Sequence, residues 1–177
     1  MEAIFSDYAF VGLGGNAGPL EANFAAARRA LRDLATSPLV ISPLYLSQPW
    51  GDAEHGADQG AFVNQVVGFA PRFSARATLG GLLNLERSLG RDRAREVRYG
   101  ARTMDLDILI WPGTVLAEPD LIVPHPRLHL RRFVLVPLAD VAPQLPVPGR
   151  GRTVTELLDA CPDRGWVRPF AGAEGAA

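Results

Sequence analysis

Apolar and polar residues alternate through Arg102-Thr103-Met104-Asp105-Leu106-Asp107-Ile108-Leu109-Ile110, the pattern of a half-buried β-strand. Side chains of a strand point to opposite faces with a period of two. Met104, Leu106, Ile108 and Ile110 are therefore assigned to a core face, and Asp105 and Asp107 to the other. Two rises of a strand set the aspartate Cα atoms roughly 7 Å apart. Asp is unfavourable in strands, and like charges on one face repel. A cationic partner is expected. Hard carboxylate oxygens suit Mg²⁺. The alternative is an edge strand with a solvated face, its aspartates paired with nearby Arg.

The same periodicities order the rest of the chain. Tyr8 to Gly14 reads as a first strand, broken by Gly14-Gly15-Asn16. Pro19 opens a helix to about Ala35 with Leu20, Phe24, Ala27 and Leu31 on one face. Leu39 to Tyr45 reads as a second strand and Ala61 to Ala70 as a third. Between them runs a polar loop from Ser47 to Gln59, of a length that is usually functional. Ser74 to Leu89 is a second helix, with Leu79, Leu82, Leu83 and Leu85 inward and Gly90 as its stop. An Arg-rich loop from Arg91 then enters the aspartate strand.

Strand–helix–strand–strand–helix–strand is the split βαβ order. It predicts an α+β fold: a ferredoxin-like antiparallel sheet with helices packed on one face, plus C-terminal additions. Those additions are an extended Leu121 to His125, a helix from Arg131 to Ala139 turning over the sheet, and one from Val154 to Leu158. Residues 1–170 are expected to form one domain, with a disordered tail from Ala171.

A chain of 177 residues is long enough for a core without staples. The net charge of −1 gives no sign of a nucleic-acid or membrane-surface partner. A single cysteine, Cys161, cannot form an internal disulfide. No run of about 18 apolar residues is present. A cytoplasmic, soluble protein is expected. Lysine is absent, which excludes a Walker-type phosphate loop and Schiff-base chemistry. Any phosphate must be held by Arg, metal or backbone N–H groups.

Four features could converge on one site. The first is the Asp pair. The second is Arg91, Arg93, Arg95, Arg98 and Arg102, which lead into the same strand. A polyphosphate with metal would sit between such carboxylates and cations. The third is Val123-Pro124-His125-Pro126-Arg127 with Arg131, where His125 stands on a stiff backbone. The fourth is Pro49, Trp50, Phe62 and Asn64. Phe62 and Asn64 share a strand face, and an aromatic ring with an amide suits a flat heterocycle. Taken alone, a solvated Arg loop, a structural His and a core Phe beside a turn Asn are equally ordinary. Gly12-Leu13-Gly14-Gly15-Asn16-Ala17 also fits a dinucleotide fingerprint. However, no acid ends the second strand, and the strand order is wrong for a doubly wound sheet.

Together Gly14-Gly15-Asn16, Gln59-x-x-Phe62-x-Asn64, Leu89-Gly90-Arg91, Arg102-Thr103-x-Asp105-Leu106-Asp107-Ile108 and Val123-Pro124-His125 with Arg131-x-Phe133-Val134-Leu135-x-Pro137-Leu138 resemble the 6-hydroxymethyl-7,8-dihydropterin pyrophosphokinases over about residues 8–165. The resemblance implies a ferredoxin-like monomer that uses ATP and two Mg²⁺. Such an enzyme transfers pyrophosphate to the hydroxymethyl group of the pterin and releases AMP, in folate biosynthesis. It implies that Asp105 and Asp107 bind metal and that Arg91 and Arg102 act on the moving phosphates. Glu86, Arg102, Ile108, His125 and Arg131 match ATP-site positions. Gly14, Ser47, Trp50, Phe62, Asn64 and Phe133 match pterin-site positions. Gly15 stands where Ser is usual, Tyr99 where Trp is common, Ala101 where Pro is frequent and Trp50 where an aliphatic residue is commoner. The rival classes are a non-catalytic ferredoxin-like binding module and another Mg²⁺-dependent nucleotidyl or phosphoryl transferase. Mg²⁺-dependent ATP binding separates the first from an enzyme, and the released product separates the second.

Overall fold

A computed structural model of the chain describes residues 5–50, 60–91 and 102–171. Its sheet is built on β1 (Ala9–Gly15), which pairs antiparallel with β4 (Phe62–Phe69) on one side and β5 (Asp105–Ile110) on the other. β2 (Val40–Ile41) and β3 (Tyr45–Ser47) both pair with β4. Strand order, with β2 and β3 taken as one, is therefore that of a ferredoxin-like sheet. The expected single strand from Leu39 to Tyr45 is divided. Pro43 has no N–H for a ladder, and the Ser42 hydroxyl takes the N–H of Val66 at 3.0 Å instead.

Helices α1 (Leu20–Asp33) and α2 (Ala75–Ser88) cover one face of the sheet. Phe24, Ala27 and Leu31 of α1 and Leu82 of α2 meet Val11, Leu13, Val67 and Leu106 in one buried cluster. The Ser74 hydroxyl caps α2 by accepting the Ala77 N–H, and Gly90, at φ +87°, ends the helix in the left-handed region. Leu83 is not among the core residues of α2. The fourth buried position of that helix, after Ala75, Thr78 and Leu82, is Glu86, a charge on an apolar stripe.

The C-terminal additions cover the opposite face in part. A hairpin of β6 (Leu116–Glu118) and β7 (Leu121–Val123) replaces the lone extended segment expected there. Helix α3 (Arg132–Val141) follows, then β8 (Pro146–Val147), β9 (Arg152–Thr153), α4 (Val154–Asp159) and β10 (Val167–Pro169), which adds to the sheet beside β3. Leu135 and Leu138 of α3 pack with Phe10, Val66, Leu109 and Ile110. Tyr45 donates to Asp140 Oδ2 at 2.5 Å and fastens α3 to β3.

Ile110 thus belongs to this second cluster, not to the face of Met104, Leu106 and Ile108. Between Phe10 and Val11 the β1–β5 register gains a residue on β5: Phe10 faces Ile110 while Val11 faces Ile108. A bulge of this kind resets which side chains point which way. No helix among the described residues is long and apolar enough to cross a membrane. Arg93, Arg95, Arg98, Tyr99, Ala101, most of the Ser47 to Gln59 loop and nearly all of the proposed tail lie outside the described residues.

Candidate active site

The sheet face that carries Asp105 and Asp107 is only partly covered by α3. The uncovered part is a cavity of about 260 Å³. Its floor is β1, where Gly12 and Gly14 project no side chain. A Cβ on Gly14 would lie 3.5 Å from Asn64 Oδ1, at ordinary contact distance. Asp105, Asp107 and Arg102 form one wall; Ser47, Phe62 and Asn64 form another; Trp50, Arg127, Arg131 and Phe133 close a third. A second hollow of about 490 Å³ adjoins it past Trp50, Arg127 and Phe133.

Asp105 is held by two guanidinium groups. Arg102 Nη1 donates to Oδ2 at 2.6 Å, and Arg91 Nη1 donates to Oδ1. Burial alone would raise this carboxyl; Arg91 and Arg102 outweigh it and hold it below the usual range. Asp107 has no such pair. Arg131 Nη1 stands 3.6 Å from its Oδ2, and the side chain is 41% exposed. Partial burial of the carboxyl in the cavity and the charge of Asp105 push it up to about 6. Asp107 is therefore the member of the pair still short of cationic compensation.

Glu86 lies beneath this wall, not in it. The residue is 1% exposed, accepts Arg91 Nη1 at 2.6 Å and takes the backbone N–H of Leu106 at 2.8 Å through the same Oε1. A direct contact with a nucleotide is thus not its position here. Arg91 is buried beside it at 8% exposure, in reach of Asp105 but not lining the cavity. Ile108 has its side chain in the helix-side core. Its backbone runs along β5, an outer strand of the sheet.

His125 Nδ1 accepts the Arg127 N–H at 3.1 Å, which leaves the ring proton on Nε2. Burial, then Arg131 and Arg127, push this ring down to about 4, so it is neutral at pH 7. Nε2 lies 3.5 Å from Arg131 Nη1. The ring and the guanidinium thus lie side by side, and Arg131 Nε is buried without a partner. Burial also lowers the Arg131 guanidinium from its ordinary value.

On the opposite wall, Asn64 Nδ2 donates to Ser47 Oγ at 2.9 Å. The same Nδ2 donates to Phe62 O at 3.3 Å, and because a carbonyl only accepts, this second bond fixes which way the amide points. Phe133 and Trp50 meet edge to face, with ring centroids 6.5 Å apart. The Arg131 guanidinium lies 5.0 Å from the Trp50 ring centroid and Arg127 5.8 Å. Arg127, two residues after His125, meets Trp50 only through tertiary packing. Among the described residues no group of three or more His, Cys, Asp or Glu side chains gathers as a metal cage.

An antiparallel ferredoxin-like domain whose cavity joins a carboxylate pair, clustered arginines and an aromatic–amide wall fits the class of phosphoryl or pyrophosphoryl transferases. Residues 10–143 match the model of the 7,8-dihydro-6-hydroxymethylpterin-pyrophosphokinase family, and the chain belongs to that family. It is an ATP-dependent diphosphokinase of folate biosynthesis, transferring pyrophosphate from ATP to the pterin alcohol with release of AMP. The 2-amino-4-hydroxy-6-hydroxymethyldihydropteridine pyrophosphokinase of Pseudomonas aeruginosa is 42% identical over 160 residues, covering 90% of this chain and 94% of that protein. The Methylorubrum extorquens enzyme of the same name is 37% identical over 154 residues, covering 85% and 90%. A crystal structure of Plasmodium falciparum HPPK-DHPS, wild type with pteroate, superposes with a TM-score of 0.62 at 12% identity. It covers 86% of this chain but only 44% of that one, and its likeness is one of fold.

Proposed function

We propose that the cavity is the site of this transfer, with ATP phosphates against the Asp105–Arg102–Arg131 side and the pterin against Asn64, Phe62 and Phe133. One observation carries the reading. The strongly and the weakly compensated members of a carboxylate pair open into the same cavity as a wall suited to a flat, hydrogen-bonding heterocycle.

Two carboxylates with no third ligand fit Mg²⁺, which keeps waters and binds through one or two carboxylates plus substrate phosphates. Asp105 and Asp107 would hold two such ions. Bound there, they would neutralise triphosphate oxygens and polarise the transferred group. Arg102 stabilises charge that develops on that group as the pterin hydroxyl attacks the β-phosphorus and AMP leaves. Arg91 orients Asp105 from beneath, and Glu86 orients Arg91. The Nε2–H of His125 and the Arg131 guanidinium bind phosphate oxygens. Asn64, turned by Ser47 and the Phe62 carbonyl, reads the edge of the heterocycle, and Phe133 stacks on its face. Gly14 leaves room for it, and Trp50 walls the mouth. The lone free cysteine supports a reducing, cytoplasmic setting.

The test is incubation with ATP, Mg²⁺ and the reduced pterin alcohol, resolving products by chromatography. AMP and the pyrophosphorylated pterin are expected, with no turnover in excess chelator. Release of inorganic pyrophosphate with a nucleotidylated product would replace this reading with nucleotidyl transfer.

A further inference from the structure

We infer that Asn16 is a positioning residue for Arg102, gripping its backbone so that the guanidinium stays on Asp105. The inference rests on the assignment of Arg102 to the transferred phosphate. Arg102 donates its backbone N–H to Asn16 Oδ1 at 2.8 Å. Its carbonyl accepts the Asn16 N–H at 2.9 Å and the Ala17 N–H at 3.1 Å. Donor and acceptor of one residue are thus both held by the turn that follows β1. The next carbonyl, Thr103 O, accepts Asn23 Nδ2 at 3.2 Å, and Asn23 is a buried residue of α1. The two backbones touch here. A Cβ on Gly15 would lie 2.9 Å from Thr103 O and 3.4 Å from Arg102 O.

The location gives the clasp its consequence. Asn16 leaves the end of β1, a strand locked between β4 and β5. Arg102 stands three residues before Asp105, and its Nη1 reaches Oδ2 at 2.6 Å. A long, flexible side chain can hold that contact only if its Cα is fixed. Any residue but proline at position 16 would supply the backbone N–H. Only an acceptor of this length on the side chain also takes the N–H of Arg102. Removing it deletes one bond of the clasp and frees the Arg102 peptide to rotate. A displacement of about 1 Å at a group that stabilises the transition state can cost on the order of 100-fold in rate. The loss falls on kcat, because Arg102 acts on charge that develops during transfer.

The experiment compares Asn16→Ala and Asn16→Asp, each alone and combined with Arg102→Ala, by steady-state kinetics. Asn16→Ala should lower kcat by at least about tenfold with KM for ATP within about twofold. Asn16→Asp, which keeps the acceptor, should recover most of the loss. In the Arg102→Ala background Asn16→Ala should cost nothing further, since its effect passes through that side chain. A general structural role would instead lower kcat by the same factor in both backgrounds. That result, or an unchanged kcat for Asn16→Ala, overturns the inference while leaving the site assignment intact. If Arg102→Ala alone transfers at the wild-type rate, the assignment of Arg102 to the phosphate itself fails. Should Asn16→Ala not fold, Asn16→Ser with its shorter acceptor carries the same comparison, and its loss must likewise vanish without Arg102.

Discussion

Glu86 takes the backbone N–H of Leu106 at 2.8 Å, so a helix carboxylate is fastened to the strand residue that separates the two aspartates. The same oxygen receives Arg91. Three elements of the site therefore share one buried anchor. Truncating a buried, hydrogen-bonded charge leaves its partners in a poor environment. Glu86→Ala should lower unfolding free energy by about 3 kcal/mol. Urea denaturation checks this, and a loss below about 1 kcal/mol would remove Glu86 from the support of the site.

Asp107 is the carboxylate not tied to a close guanidinium. Asp107→Ala should cost about 3 kcal/mol of transition-state stabilisation, or on the order of 100-fold in rate. Retention of more than half the pyrophosphoryl transfer would refute the metal assignment.

Asp107 also makes a pH prediction whose sign follows from its raised pKa of about 6. In the metal-free protein the folded state binds this proton more tightly than the unfolded chain does. Stability from this group is present below the ordinary carboxylate range and is lost as pH rises through about 6. Asp107→Asn mimics the protonated form. In chelator it should therefore be more stable than the wild type at pH 7, and the gap should close towards pH 4. Thermal melts across that range measure it, and a gap that widens on acidification would contradict the sign.

Arg102 and Arg131 should differ in kind. Arg102→Ala should depress kcat far more than it weakens ATP binding, because the group acts on developing charge. Arg131→Ala should chiefly raise the Kd of ATP, because its donors address charge already present. Titration calorimetry alongside turnover separates the two. Equal losses in binding and turnover for Arg102→Ala would make it a ground-state contact.

Asn64 is fixed by Ser47 and the Phe62 carbonyl, so its amide is preset for the heterocycle edge. Asn64→Ala should raise KM for the pterin by roughly ten- to a hundredfold, the loss expected for one or two hydrogen bonds, and leave KM for ATP nearly unchanged. A rise confined to ATP would reverse the two halves of the cavity.

Much of this arrangement is legible in the chain itself. Alternation across residues 102–110 put Asp105 and Asp107 on one face, because a strand has a period of two whatever it packs against. The element order and the helix stripes of α1 gave the ferredoxin-like sheet for the same local reason, and Gly90 marked the end of α2. Local pattern failed where a distant contact intervened. Ile110 changed faces because a bulge against Phe10 reset the alternation. Pro43 divided the second strand. Glu86 took a core position from Leu83 because the backbone of Leu106, twenty residues on, and the nearby Arg91 satisfy it.

The sequence by itself determined the elements, their order and the chemical types available: paired carboxylates, arginines without lysine, and an aromatic–amide strand face. Only the tertiary structure decided which groups meet. It put Glu86 and Arg91 beneath the site, laid Arg131 on Trp50, and tied Arg102 to Asn16. The physical reason is range: periodicity and capping act within a few residues, whereas hydrogen bonds and ion pairs between distant segments depend on how the sheet and its covering helices close.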